Sequence, residues 1–268
     1  MTRSISNNTL VLFLWLIVGC MHDDEVKQFQ MSGAYTLQQQ WIMQEGADTV
    51  FTRVQQLKMY NGDFVMYAGI APGDSTCSFG VGTYSVRSDT ITEAIFFSAS
   101  NTVMSSMDKK YRLLVSKEGK GFKQVIPDFD KRKGKKRTLS ETYTSVGITL
   151  ASPLDGLWKE DKAYFVVDQD TSIFKATQYK MYHAGYFIYG QIWFDTQKKM
   201  HTAAGFGSFS FEGKDNLKEH VLVSTYNMFV NKTVEVTLEM LGTDKFKQTI
   251  YLPDGSQTVE HYSRIKLR

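Results

Sequence analysis

The sequence predicts an all-β protein made of two tandem, antiparallel, up-and-down β-barrels that follow an export signal. Two observations carry this prediction. Residues 56–70 (QLKMYNGDFVMYAGI) and 178–192 (QYKMYHAGYFIYGQI) are nearly the same segment, written 122 positions apart. Residues 233–241 (TVEVTLEML) alternate between apolar and polar side chains, as in a strand that buries one face.

Residues 1–19 have the features of a signal peptide. Arg3 gives a short positive region, and residues 10–18 form an apolar run of nine, too short to span a bilayer as a helix. The run ends in IVGC, which resembles the bacterial lipobox; the alternative is an ordinary secretory signal with a chance cysteine. The resemblance implies that lipid on Cys20 anchors the mature chain to a membrane.

Residues 20–30 are expected to form an acidic tether. MHDDE at 21–25 resembles the export signal of surface lipoproteins of the Bacteroidetes, although a plain solvated linker is equally consistent with it. The residue after Cys20 is Met21 rather than Asp, so retention in the inner membrane is not indicated. We therefore expect an outer-membrane lipoprotein that faces the periplasm or the cell surface, with the surface favoured.

The composition fits an exported globular body. Once Cys20 is acylated, Cys77 is the one remaining cysteine, so a hydrophobic core rather than an internal disulfide must stabilise the fold. The net charge is +3, or +2 when Arg3 leaves with the signal. That balance argues against general binding of nucleic acid.

A tandem duplication sets the domain organisation, because matched segments keep the same order in both halves. The matched pairs are 32–35 with 155–158, FGVGTYS at 79–85 with AGFGSFS at 204–210, GFKQVI at 121–126 with KFKQTI at 245–250, and 141–143 with 260–262. Each unit has the length of an ordinary domain. We predict one barrel over residues 31–148 and a second over residues 153–268.

Turn signals divide each unit into about eight short strands in hairpin order. The signals include Asn61-Gly62, Ala184-Gly185 and Gly213-Lys214. Closing such a sheet into a barrel removes the exposed edges that would otherwise aggregate. The glycines of the paired 79–85 and 204–210 segments are expected to let a strand bend at a barrel corner.

One ordered set of residues resembles a known family. Gly156-Leu157-Trp158 opens the second unit, a tyrosine-rich hairpin and GFGSFSF follow, and Glu260, Tyr262 and Arg264 close it. This order resembles the lipocalin superfamily and looks like the lipocalin-like domains of Bacteroidetes lipoproteins. The resemblance implies that Trp158 forms the barrel floor beneath Arg264, in a cation–π contact.

The first unit departs from this pattern. Tyr35 stands where Trp158 stands in the second unit, and Ser145 stands where Arg264 does. The two departures occur together, as expected if the two positions touch. We therefore expect a weaker floor, built on Tyr35, in the first barrel.

Motifs for catalysis or cofactor binding are lacking in the sequence. No GxSxG segment, P-loop, dinucleotide fingerprint or zinc-ligand spacing occurs. His220 and His261 are the one histidine pair that the pattern would bring onto neighbouring strands. Glu93 and Glu141 recur as Glu219 and Glu260, which favours a role in the fold over a glycosidase pair. We expect no enzyme activity, no cofactor and no metal.

The candidate ligand pocket is the barrel interior, since barrels of this size either fill with side chains or hold one small ligand. Glu260, Tyr262 and Arg264 share one strand face. If that face points inward it forms a polar floor, and if outward a surface ladder. The candidate pocket residues are Lys58, Tyr60, Glu141, Tyr143, Lys180, Tyr182, Tyr189, Glu260 and Tyr262.

Two surface features suggest other contacts. Residues 131–137 hold six basic side chains and read either as a solvated hairpin or as a contact for anionic lipid head groups. These side chains are Lys131, Arg132, Lys133, Lys135, Lys136 and Arg137. Aromatic residues crowd the hairpin at 186–194, where core packing explains most of them and sugar stacking would require two or three at the surface.

The sequence therefore predicts a non-enzymatic envelope lipoprotein that binds a small, largely apolar ligand in one barrel. One alternative is a surface glycan-binding accessory protein, which requires an exposed aromatic row. Another is a structural or assembly partner whose barrels are both filled. The sequence does not determine the oligomeric state.

The lipobox interpretation predicts that Cys20→Ser releases the protein from the membrane fraction, because the acyl chains have no other attachment point. Fractionation of host cells and labelling with a fatty-acid analogue would measure this release. Unchanged membrane retention together with unchanged labelling of the variant would contradict the prediction.

Overall fold

The computed structural model describes residues 31–44, 50–71, 76–100, 103–106, 108–132, 135–147, 151–168 and 170–267. Cys20, with the predicted signal and tether, lies outside the described residues. Within the described ranges the sole helical segment is the 3₁₀ turn Asn227–Phe229. Accordingly, no helix in the described part of the chain has the length and hydrophobicity needed to cross a membrane.

The first unit forms a closed antiparallel barrel. Its strands are β1 (Gly33–Gln44), β2 (Val50–Thr52), β3 (Gln55–Asn61), β4 (Phe64–Ile70), β5 (Cys77–Arg87), β6 (Thr90–Ser100), β7 (Met104–Ser105), β8 (Lys109–Glu118), β9 (Gly121–Arg132) and β10 (Lys135–Ser145). Eight of them pair in sequence order, and β1 pairs with β10 to close the barrel. The short strands β2 and β7 form antiparallel pairs with β1 and β6, respectively.

The second unit repeats this arrangement. Its strands are β11 (Gly156–Val167), β12 (Asp170–Phe174), β13 (Ala176–His183), β14 (Tyr186–Phe194), β15 (Met200–Glu212), β16 (Asn216–Ser224), β17 (Lys232–Met240), β18 (Lys245–Tyr251) and β19 (Gln257–Arg264). Pairing of β11 with β19 closes this barrel, and β12 extends β11. The predicted fold class, two tandem antiparallel barrels, is confirmed.

Local sequence explains how the strands run. On β17, Val236 and Leu238 point into the barrel and are buried, while Glu235, Thr237 and Glu239 are exposed. Register shifts occur at Gly82 and Gly207, where a Cβ atom would collide with the backbone of the neighbouring strand. Irregular pairing thus falls at two of the four glycines at which a bend was expected. At Gly80 and Gly205 the missing Cβ atom instead makes room for the rings of Tyr67 and Tyr189.

The two barrels share a hydrophobic core, formed by the outer faces of the duplicated segments. Leu57, Met59 and Met66 of the first barrel belong to one buried cluster with Met181 and Ile188 of the second. These strands are therefore buried on both faces, one toward the barrel interior and one toward the other barrel. This double burial explains why both faces of the repeated segment carry hydrophobic or aromatic residues.

Close approach of the two barrels requires a glycine. The ring of Phe79, on β5, occupies the space that a Cβ atom at position 190, on β14, would fill. Thr202 also donates a hydrogen bond of 3.0 Å to the carbonyl oxygen of Ser100, across the same junction. The barrels are thus packed directly against each other.

Candidate functional site

A buried ion pair lies inside each barrel. Lys180 Nζ is 2.6 Å from Glu219 Oε1, and Lys58 Nζ is 2.7 Å from Glu93 Oε1. All four side chains are buried. Alternation along β3 and β13 directs these lysines inward while Met59 and Met181 face the shared core. The lysines need partners there, because an unpaired buried charge is strongly destabilising.

Tyrosine and glutamine side chains complete each ion pair. Tyr182 donates a 2.5 Å hydrogen bond to Glu219, and Tyr60 donates one of the same length to Glu93. Burial raises the pKa of both phenols well above the usual range, so they donate as neutral groups. Lys180 and Lys58 also donate to Gln248 and Gln124, at 3.4 and 3.2 Å.

A second carboxylate extends the polar network in each barrel. Glu260 Oε2 accepts hydrogen bonds of 2.6 Å from both Gln248 and Tyr262, and one of 3.3 Å from Gln178. Its counterpart Glu141 accepts from Gln124 and Tyr143 at its own Oε2. The face of Glu260 and Tyr262 thus points inward, as the polar-floor alternative predicted.

The second barrel encloses a cavity of about 340 Å³ above this network. Its polar lining comes from the network itself and its walls are largely apolar. The lining residues are Ala163, Tyr164, Phe165, Phe174, Gln178, Lys180, Phe187, Tyr189, Gln191, Glu219, Val221, Tyr226, Met228, Phe229, Val234, Gln248, Ile250, Leu252, Thr258 and Glu260. Phe174 and Met228 are also 37% and 57% exposed, so apolar side chains reach solvent at its mouth.

The first barrel has a smaller and more polar cavity of about 200 Å³. It is lined by Gln40, Gln56, Lys58, Tyr67, Ser78, Glu93, Tyr111, Gln124, Ile126, Phe129, Leu139 and Glu141. Strand pairing shows which positions of the two barrels correspond. Gln40 is paired with Glu141 in the first barrel, and Ala163 is paired with Glu260 in the second. In the same way, Tyr111 is paired with Glu93 and Val234 with Glu219. At both matched positions the second barrel has the smaller side chain.

The structure separates the predicted pocket residues into two layers. Lys58 and Glu141 line the first cavity, and Lys180, Tyr189 and Glu260 line the second. The tyrosines at 60, 143, 182 and 262 are fully buried and do not line either cavity. Their role is to donate hydrogen bonds to the carboxylates.

Sequence reasoning missed several residues of the site. Gln178 and Gln248 belong to the matched segments, and alternation from Lys180 along β13 would have placed Gln178 inside the barrel. Phe165 and Phe229, on the apolar wall, were not among the matched positions. Nor was Glu160, which occupies the β11 position matching Leu37 and contacts Gln178 at 3.4 Å.

Glu160 is a carboxyl group in an unfavourable environment. Burial and, to a smaller extent, the nearby charge of Glu260 raise its pKa, and Lys180 lowers it, which together place the pKa at about 8. Glu160 does not line the cavity. The second barrel therefore contains one more acidic group than the first.

The closed end of the second barrel holds the contact that the family resemblance implies. The guanidinium carbon of Arg264 lies 4.0 Å from the centre of the Trp158 ring, and the indole N–H donates to the Leu154 carbonyl oxygen at 2.7 Å. Arg264 also donates to the carbonyl oxygens of Asp155, Pro153 and Thr243. It thereby holds the chain that enters β11 against the end of the barrel.

The first barrel closes differently. Tyr35 pairs with Ser145 as Trp158 pairs with Arg264, so the predicted correspondence of these positions holds. Tyr35 is buried against Phe122, with ring centroids 5.1 Å apart, and its hydroxyl donates to the Ser32 carbonyl oxygen. No arginine pairs with it in the strand register.

The histidines fall into separate environments. The prediction that His220 and His261 meet is wrong, because β17 and β18 lie between their strands. Among the described residues, no group of three or more potential ligands is arranged to hold a metal ion. His183 Nε2 lies 3.2 Å from Ser32 Oγ, and its Nδ1 lies 3.6 Å from Asp155 Oδ2.

Serine, histidine and aspartate also form nucleophilic triads in enzymes. Here Ser32 belongs to the first unit and His183 to the second, and none of the three residues lines either barrel cavity. We interpret the arrangement as a polar contact between the barrels.

The basic segment lies on the hairpin of β9 and β10, which closes with Arg132 paired to Lys135. Lys133 lies outside the described residues, and only the backbone is described at Lys131 and Arg132. Lys136 forms an exposed ion pair of 2.7 Å with Asp128, and Arg137 stacks on Phe129 at 5.1 Å. Contact of this hairpin with anionic lipid remains a prediction.

The aromatic hairpin divides between core and surface. Phe187 is fully buried, Tyr189 lines the cavity, and Tyr186 packs against the shared core. The Trp193 ring stacks on His201 with centroids 5.3 Å apart, and Phe194 is 53% exposed. Stacking on His201 covers one face of the tryptophan.

Comparison with protein-family models finds no match, and comparison with curated proteins finds none either. Among solved structures, a protein of unknown function of the DUF3598 family from Nostoc punctiforme PCC 73102 is similar, with 11% identity. The match covers 87% of this chain and 96% of that one, with a TM-score of 0.28. A likeness this low has no bearing on function.

Trp158→Ala should destabilise the protein by about 3 to 5 kcal/mol, because the ring is fully buried, and Tyr35→Ala should cost less. Trp158→Ala and Arg264→Ala should be non-additive by about 0.5 to 3 kcal/mol, since the side chains touch. Urea unfolding of the full chain measures the cycle, because the barrels share a core. Additive losses would contradict the inferred contact.

Glu160→Gln should remove a pH-dependent loss of stability. The folded pKa is raised from its ordinary value of 4.5 to about 8, so the unfolded chain loses this proton first and the wild type weakens as pH rises from about 5 to about 8. The advantage of the variant in unfolding free energy should grow by about 3 to 4 kcal/mol over that window. A constant difference between the two proteins would contradict this assignment.

Proposed function

We propose that this protein binds a small, largely apolar molecule in the cavity of the second barrel. One observation carries the proposal. The two barrels keep the same buried ion pair and carboxylate network, yet the second has Ala163 and Val234 where the first has Gln40 and Tyr111. These exchanges remove side-chain volume from the second interior, whose cavity of about 340 Å³ is larger than the cavity of about 200 Å³ in the first.

The cavity has the properties of a small-molecule site. Its volume of about 340 Å³ lies within the roughly 300 to 1,000 Å³ typical of such sites, which combine apolar walls with a few polar groups. Phe165, Phe187 and Ile250 contribute to the walls, and Glu260 and Gln178 to the polar part. This combination suits a ligand with an apolar body and one polar end.

We propose that the protein acts without catalysis, as an envelope lipoprotein anchored through Cys20. The lipobox resemblance supports the anchor, and the contact of Arg264 with Trp158 supports the likeness to lipocalin-like domains of Bacteroidetes lipoproteins. The cavity makes the alternative of two filled barrels less attractive. Stacking of Trp193 on His201 similarly weakens the glycan-binding alternative.

Binding of the neutral fluorescent probe N-phenyl-1-naphthylamine tests the proposal. The wild type should enhance its fluorescence saturably at one site. Val234→Tyr restores the bulk that Tyr111 provides in the first barrel, so it should weaken binding at least about tenfold, equivalent to about 1.4 kcal/mol. The control Thr237→Tyr adds the same ring on the exposed face of β17 and should bind like the wild type.

Absence of saturable binding by the wild type would overturn the proposal, as would equal binding by Val234→Tyr and Thr237→Tyr. Native mass spectrometry of protein purified from its own host would complement the titration, because a retained molecule would appear as a mass adduct that Val234→Tyr lacks.

A further inference from the structure

The second carboxylate of the network, Glu141 in the first barrel and Glu260 in the second, receives different hydrogen bonds in the two barrels. In the first barrel, Gln40 donates a 2.6 Å hydrogen bond to Glu141 Oε1, while Gln124 and Tyr143 occupy Oε2. Every carboxylate oxygen of Glu141 therefore has a donor. This arrangement is complete without any external molecule.

In the second barrel, the donor for one oxygen is absent. Gln178, Gln248 and Tyr262 all donate to Glu260 Oε2, and no described residue donates to Oε1. Ala163 occupies the position of Gln40, opposite the carboxylate, and its methyl group cannot donate. Both Ala163 and Glu260 line the cavity, so the space left by the shorter side chain adjoins the unpartnered oxygen.

The charges around this oxygen favour a cation. The ionised groups that line the cavity are one ammonium, Lys180, and two carboxylates, Glu219 and Glu260. Lys180 is committed to Glu219 at 2.6 Å, which leaves Glu260 without a counter-ion. A ligand that brings a positive charge would offset this surplus, whereas an anionic head group would be repelled.

We propose that the ligand of the second barrel carries a primary amine, whose ammonium group donates to Glu260 Oε1 in the place that the Gln40 amide takes in the first barrel. This inference rests on the proposed function and specifies its ligand class: an apolar body with a cationic head. In the first barrel the protein supplies the donor itself, and in the second the ligand supplies it. The apolar walls formed by Phe165, Phe187 and Ile250 would receive the body.

Isothermal titration calorimetry with three matched compounds tests the head group directly. Decylamine, decanamide and decanoate share nearly the same apolar chain but present a cation, a neutral donor and an anion. At pH 7 the wild type should bind decylamine most tightly and decanoate at least about tenfold more weakly. Equal affinities, a preference for decanoate, or no binding of decylamine would each overturn the inference.

Two variants test whether Glu260 and the space beside Ala163 are responsible for the binding of the amine. Ala163→Gln copies the first barrel and should weaken decylamine binding at least about tenfold, because the new amide fills the space and donates to Glu260. Glu260→Gln should abolish the preference for decylamine over decanoate. The control Lys162→Gln changes the neighbouring exposed residue of β11 to the same side chain and should leave the preference intact.

Failure of this inference is distinguishable from failure of the proposed function. If N-phenyl-1-naphthylamine binds saturably while decylamine and decanoate bind equally, the proposed apolar binding cavity stands and the proposed preference for an amine is wrong. Far-UV circular dichroism and thermal unfolding would report whether Glu260→Gln is folded, and the control Lys162→Gln should bind the neutral probe like the wild type. If Glu260→Gln retains the preference for decylamine while binding the probe, Glu260 is not the partner and the inference is wrong.

Discussion

The buried ion pairs fix the register of both barrels. Lys58 and Lys180 lie on strands whose other face packs against the neighbouring barrel, so a shift of one residue would move each lysine into the shared apolar core. Taking such a pair out of water costs several kcal/mol per ion, and the penalty is offset only when further hydrogen bonds satisfy both groups. Here Tyr60, Tyr182 and two glutamines provide them. The repeated segment is thus constrained on both faces.

That constraint explains where the two units differ. The residues of β3 and β13 that hold the network and the shared core are nearly the same. The exchanges of Leu37 for Glu160 and Gln40 for Ala163 lie on β1 and β11, beyond Ala34 and Leu157, which are the residues of these strands in the shared core. Changes on β11 alter the interior without disturbing the contact between barrels. The second barrel therefore has room for a larger and more apolar cavity than the first.

Much of this architecture was predictable because the duplication is visible in the chain. Matched segments gave the number of units and turn residues gave the strands, while alternation placed Glu260 and Tyr262 on one face without deciding whether that face points inward. The shared core was not predictable, since alternation identifies Leu57 and Met59 as an apolar face without specifying what covers it. His220 and His261 were misplaced because the number of strands between them cannot be read from their spacing.

The sequence also did not predict that the second barrel has an open cavity. Gln40 and Ala163 are as far apart as Tyr35 and Trp158, so a repeat alignment pairs them. It does not show which way they face, because a register irregularity between Leu37 and Gln39 in β1, and between Glu160 and Lys162 in β11, interrupts the alternation before them. The exchange matters because it changes both volume and hydrogen bonding at one place, and that coincidence appears only when the strands are paired.

The two barrels together suggest a division of labour between stability and binding. The second barrel has the larger cavity and carries the buried carboxyl of Glu160, each of which lowers the stability of the folded state. The first barrel has a smaller cavity, has Leu37 in the place of Glu160, and contributes to the shared core. A molecule that fills the larger cavity and donates to Glu260 would stabilise the folded chain in proportion to RT ln(1 + [L]/Kd). The second barrel can thus carry destabilising features while it is empty because the shared core joins it to a neighbour in which Gln40 already donates to the matching carboxylate.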